Sequence, residues 1–192
     1  MSSAPGQPSN GWRKWVNAHP IGSIILTGVI ATQLGTYFGY VFPAVGLPTL
    51  PWPMYNGALA HGIAGPTWGE YFDPTTFAVT GKGATGIFFS GMMLHFVNGV
   101  VFAILYGVIA RHSLPFSGKS NGGNIAKGLT YGVIMTIISA GILVPYAYVA
   151  HSGYGFFLFD GPDGWKLPFG ILVWHLIYGY FLGALYQPAD EE

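Results

Sequence analysis

The chain has 192 residues, of which 51% are apolar and only 14 are charged, seven of each sign. That balance excludes a soluble domain of this size and leaves no basic surface for nucleic acid. The absence of cysteine removes disulfides, Cys-type zinc sites and cysteine-ligated iron–sulfur clusters.

In chain order, residues 1–18 are rich in Ser, Pro and Gly and turn basic at Arg13 and Lys14. They are expected to form a flexible cytoplasmic tail. The apolar run behind them is too long for a signal-peptide core and carries no small-residue cleavage site, so it reads as an uncleaved first helix. Charge-free runs occupy residues 21–45, 83–110, 128–150 and 167–186. Each is long enough to cross a hydrocarbon core about 30 Å thick. Only helices and closed barrels satisfy the backbone in such a core. The runs lack the alternation of barrel strands. The predicted fold is therefore all-α: a four-helix transmembrane bundle, residues 19–187, with residues 188–192 as an acidic tail.

The connections divide by charge. Arg13, Lys14, Arg111, Lys119 and Lys127 fall in the tail and the second connection; Lys82 and Lys166 fall in the first and third. Five against two places both termini and the second connection in the cytoplasm and the protein in the inner (cytoplasmic) membrane. The second connection, around Ser117–Gly123, reads as a flexible loop. Its Gly-Lys-Ser is not a phosphate-binding loop, because the upstream glycine and flanking strand are missing. The outer connections, 46–82 and 151–166, are aromatic: Trp52, Tyr55, Trp68, Tyr71 and Phe72 in one, Tyr154, Phe156, Phe157, Phe159 and Trp165 in the other. A headgroup belt is the first reading. A partner-facing surface is the second, with Trp52, Tyr55, Trp68, Tyr71, Phe157 and Trp165 as its candidates.

Helices 2 and 4 repeat each other. His95-Phe-Val-Asn-Gly99-Val-Val-Phe-Ala103-Ile-Leu-Tyr106 matches His175-Leu-Ile-Tyr-Gly179-Tyr-Phe-Leu-Gly183-Ala-Leu-Tyr186, without a gap, at an offset of 80 (175 minus 95). Helices 1 and 3 share Gly-Val-Ile-x-Thr from Gly28 and Gly132, at an offset of 104 (132 minus 28). Two similar hairpins related by an axis along the membrane normal are the expected architecture. Every fourth position carries Gly91, His95, Gly99, Ala103 and Gly107 on helix 2, Gly128, Gly132, Thr136 and Ala140 on helix 3, and His175, Gly179 and Gly183 on helix 4, with Gly28, Thr32 and Thr36 on helix 1. Such stripes let helices approach closely in lipid. His95 and His175 lie on these stripes and should face other helices. Pro145 should kink helix 3 near its outer end.

An ionisable side chain at membrane depth points to a functional site or a buried structural contact. Facing helical histidines hold haem irons, and a histidine beside small residues can hold a chlorophyll magnesium. One hydrogen bond per histidine, to a tyrosine, Asn98, Ser90 or a carbonyl, is the plainer reading. No cofactor is expected first; haem b or chlorophyll on His95 and His175 is the alternative. His61 and His151 match no metal motif, so no metal site is expected. His19 and His112 read as interfacial. No Ser/His/Asp arrangement and no intramembrane acid is present, which counts against hydrolysis and against ion-coupled transport. A passive pore stays open as a further reading, although short helices packed on glycine stripes leave little lumen.

The paired His-x3-Gly…Leu-Tyr helices resemble those of a group of small four-helix bacterial membrane proteins without an assigned activity. The resemblance covers helices 2 and 4 and implies the bundle, but no activity. The function expected from the sequence is a non-catalytic accessory or assembly subunit of a larger membrane complex, with other membrane subunits and lipid as partners.

Overall fold

The protein is described by a computed structural model over residues 11–62, 84–149 and 153–188. These residues are helical, with no strand among them. Helix α1 (Gly11–Ala18) precedes α2 (Pro20–Val41); α3 (Trp52–Ala60) follows, then α4 (Ala84–Leu105), α5 (Asn121–Ile138) and α6 (Lys166–Leu185). Four stretches are long and apolar enough to cross a membrane: Pro20–Val45, Thr85–Ser113, Asn121–Tyr148 and Lys166–Leu185. They correspond to the four expected spans.

Local chemistry explains the ends. Pro20 opens α2 at a position where its missing N–H costs nothing. Ser120 caps α5 by accepting from the Gly123 N–H at 3.0 Å. Residues 121–123 are thereby the first turn of a helix and not part of a flexible loop. Beyond Leu105 and beyond Ile138 the chain continues as π-helix, Tyr106–Ala110 and Ser139–Tyr148. The second of these contains Pro145, which cannot donate to a helical ladder. The wider π turn absorbs it where a kinked α-helix was expected.

Glycine sets the packing. A Cβ on Gly28 would lie 2.7 Å from that of Ala103, and one on Gly99 would strike the Thr32 side chain, so α2 and α4 meet at backbone distance. A Cβ on Gly128, Gly132, Gly179 or Gly183 would strike the backbone of the facing helix in the α5–α6 pair. Gly107 packs against Ile24 and Tyr186. These contacts put Gly28 and Gly128 in matching places: Gly28 lies on Gly99 and Ala103, Gly128 on Gly179 and Gly183. The packing register is thus 100 residues (128 minus 28), one helical turn away from the Gly28–Gly132 match of the sequence.

The spans form an open row. α4 packs on α2, α2 on α6, and α6 on α5. The row closes between α4 and α5 only near the basic end, through the turns after Leu105; elsewhere the two do not pack along their lengths. If two identical hairpins related by a twofold axis were packed together, the α2–α6 contact would have an equal α5–α4 mate; among the described residues that mate is much weaker, with Tyr131 reaching the Phe102 carbonyl.

Two segments differ from the sequence reading. Residues 11–18 are not a flexible tail: they form α1, pinned by the Trp12 indole N–H to the Leu185 carbonyl (2.6 Å) and by Arg13 to the carbonyls of Gln187, Gly118 and Lys119 (3.4 Å each). Those bonds gather α1, the 114–120 link and the chain after α6 at one end of the bundle. The other segment is α3, inside what reads as an outer loop. It folds back on α4 with Trp52, Met54, Asn56 and Gly57 buried. Gly91 and Gly57 permit this, since a Cβ on Gly91 would strike the Pro53 carbonyl and one on Gly57 the Ile87 carbonyl.

Candidate functional site

Both histidines reach one cavity. It measures about 330 Å³ and sits where α4 and α5 diverge. α3 contributes Trp52, Asn56 and Leu59; α4 contributes His95, Asn98, Gly99 and Phe102. α5 and its π extension contribute Met135, Ile138, Ser139, Leu143 and Tyr148; α6 contributes Trp174, His175 and Tyr178. Two tyrosines tie the wall together: Tyr178 donates to the Gly99 carbonyl at 2.6 Å, and Tyr131 to the Phe102 carbonyl at 2.9 Å. The mouth is apolar, with Leu59, Ile138 and Leu143 exposed by 48, 45 and 36%.

His95 is held on both nitrogens. Thr36 spends its hydroxyl hydrogen on the Thr32 carbonyl at 2.7 Å, so it can only accept from the His95 Nε2–H, also at 2.7 Å. His95 Nδ1 then faces the Asn56 amide as an acceptor at 3.4 Å. A ring that donates on one side and accepts on the other is neutral. Asn56 is the hub of the network. Its amide also donates to the Trp52 carbonyl at 3.0 Å, and its Oδ1 accepts from Tyr148 at 2.6 Å and Asn98 at 3.1 Å. The side chains of His95, Asn56, Asn98 and Tyr148 thus satisfy one another in a single network.

His175 differs. Its Nδ1–H donates to the Ile171 carbonyl one turn back, at 2.9 Å. Its Nε2 has no hydrogen-bond partner among the described residues. The Ser139 hydroxyl, on the same cavity wall, is likewise without one.

Trp174 lies between the histidines, its ring 5.8 Å from that of His95 and 5.2 Å from that of His175. This arrangement does not fit a bis-histidine haem. One indole lies against both rings, and both nitrogens of His95 are engaged. The cavity is also at the small end of ligand pockets, which run about 300–1,000 Å³. It suits one substituted ring better than a four-ring macrocycle.

The partner-facing candidates separate. Trp52 is a core residue, 6% exposed, with ring contacts to Tyr55, Tyr148 and Trp174. Its burial removes it from any outer surface. Tyr55 is half-buried against Tyr148. Phe157 folds back over Gly141, whose missing Cβ leaves room for the ring. Phe157 and Leu158 adopt positive φ (56° and 63°) to make this turn, with Leu158 wholly buried. Trp165 alone of these four stands out, at 60% exposed. Trp68 and Tyr71 lie outside the described residues, as do Phe72, Lys82 and His151. His61 meets Ser90 at 3.0 Å. Among the described residues no three His, Cys, Asp or Glu side chains gather as a metal site.

The sequence reading singled out both histidines and the packing glycines of the four spans other than Gly141, but not Gly57 of α3. It named Asn98 only as a possible partner, placed Thr36 on the packing stripe of helix 1 without pairing it with His95, and missed Asn56, Ser139, Tyr148 and Trp174. A polar Asn56 within the apolar stretch Pro51–Ala60 was the available signal. No family model matches this chain, and neither a curated protein nor a solved structure matches it.

Proposed function

We propose that this protein is a non-catalytic accessory or assembly subunit of a larger complex in the inner membrane. The observation that carries the reading is the one-sided packing of α4. Its inner stripe is covered by α2 and α3, while Phe89, Met93, Val97 and Val101 stand exposed at 62, 72, 56 and 46%, as does Val108 in the π turn beyond it at 56%. α4 is the least buried of the four spans. That face runs the length of a span, at helical spacing, and is suited to a helix of another subunit. The interior supports the same reading. The network around His95 is neutral, with both ring nitrogens engaged, and no acid occurs in any of the four spans. Ion coupling thus lacks its usual intramembrane carboxylate.

The orientation we propose puts the end that carries α1, the 114–120 link and the C-terminal residues in the cytoplasm. The duplicated hairpin belongs to the same proposal. The shared glycine contacts of the two hairpins support it, and the open α4–α5 side is where the halves would have diverged.

The test is substitution of the exposed stripe. Val97→Trp with Val101→Trp should release the chain from co-purifying subunits in mild detergent, while its melting temperature stays within a few degrees. Unchanged co-purification would remove α4 as the assembly face.

A further inference from the structure

We propose that the cleft between α4 and α5 is a binding site for a neutral, hydroxyl-bearing ring compound with an apolar tail, of the alkylated hydroquinone class, entering from the lipid. This goes beyond the assembly role and does not depend on it.

The polar groups of the cavity define the head of the ligand. His175 is fixed as the Nδ1–H form by the Ile171 carbonyl, so the Nε2 at the cavity wall is an acceptor with nothing to accept. It requires an O–H or N–H donor. Ser139, 5% exposed, offers a hydroxyl that can give or take. Groups this deep are normally satisfied; beside the His175 Nε2 and the Ser139 hydroxyl, the indole N–H groups of Trp52 and Trp174 on the same wall also lack a partner, so the cavity presents both an acceptor and donors, which a hydroxyl can meet on either side. A histidine that donates one nitrogen to a carbonyl presents the other in a fixed direction.

Charge and shape narrow the class. None of the described lining residues is charged. A phospholipid headgroup would lose its hydration there without a counter-charge, whereas a neutral hydroxyl would not. The walls are flat: Trp174 beside His175, Tyr178 stacked on Trp174 at 5.8 Å and 9°, and Phe102 opposite. Aromatic rings pack against such walls in offset or edge-on geometry. A volume of about 330 Å³ accepts one substituted ring. The tail follows from the mouth. Ile138 and Leu143 are exposed on the face that a bilayer would cover, so an alkyl chain can leave between α4 and α5 without entering water.

The experiment uses the full chain in phosphatidylcholine nanodiscs, with decylhydroquinone as the probe, kept reduced. Saturable binding is measured against empty nanodiscs. One site per chain is expected. The dimethyl ether of the same probe keeps ring and tail but loses both donors, and should bind about tenfold more weakly. Ser139→Ala should weaken the hydroquinone by about fivefold. Ile138→Trp, at the exposed mouth, should abolish binding without changing the melting temperature. His175→Phe should also abolish it, and if that variant does not fold, the Ser139 and Ile138 variants carry the test. Binding no greater than to empty nanodiscs would overturn the proposal and leave the vacancies to water. Equal affinity for the ether would remove the role of His175. Equal affinity for monoolein, which has hydroxyls but no ring, would overturn the ring class.

Discussion

At the scale of single residues, Asn56 does more than either histidine. One amide serves His95 and the Trp52 carbonyl, and one oxygen takes Tyr148 and Asn98. Asn56→Leu leaves three side chains without their partner. Interhelical hydrogen bonds in membranes average about 0.6 kcal/mol and reach about 1.7. The loss should total about 2 kcal/mol in a reversible unfolding assay in detergent. Tyr148→Phe added to Asn56→Leu should cost less than the sum of the single changes, because both remove the same bond. The histidines should separate as well. His95→Leu breaks two contacts and should destabilise by about 1 kcal/mol, whereas His175→Leu breaks one local bond and should cost less. Equal costs would mean that the His95 network is not formed. Both histidines were legible in the sequence because each interrupts an apolar helix at a repeated position. Asn56 was not, because α3 has only nine residues, too few for a hydrophobic run to signal a buried helix.

At the scale of elements, the glycines give a direct contrast. Gly179→Ala pushes a methyl into the Gly128 carbonyl, and the helix must move or unpair. Overpacking of this kind costs about 1–3 kcal/mol. Gly86→Ala, on α4, meets nothing within 4 Å. It should be neutral or stabilising by up to about 1 kcal/mol, the helical preference of Ala over Gly. Thermal melts of the two variants beside the parent check both signs. The four spans and their small-residue faces were readable because the length and composition of a membrane helix are set by the bilayer. The ends were less so. The Ser120 cap starts α5 within a glycine-rich stretch that reads as loop, and α1 draws its order from Trp12 and Arg13, whose partners are more than 100 positions away in sequence. Long-range bonds of that kind leave no local trace. The Gly28–Gly132 match is one turn off the packing because every fourth residue on these helices is small, so several registers look alike.

At the scale of the whole molecule, one end holds Arg13, Lys119 and the residues after α6, and the other holds α3 and the 153–165 turn. With the basic end in the cytoplasm, Asp163→Cys should react with an impermeant thiol reagent in intact cells and Lys119→Cys should not; both positions are exposed. The reverse pattern would invert the orientation. The open row of helices has a wider consequence. Among the described residues α4 is covered on one face, with a cleft beside it, and the assembly role we propose sets another subunit against that face. The most direct test is the native mass of the protein extracted from its own membranes in mild detergent, read together with the visible spectrum of the same fraction. An accessory subunit should migrate well above its own 20.6 kDa plus detergent, with stoichiometric companion subunits. Migration as a lone chain, or a Soret band lost in both His95→Gln and His175→Gln, would contradict that account.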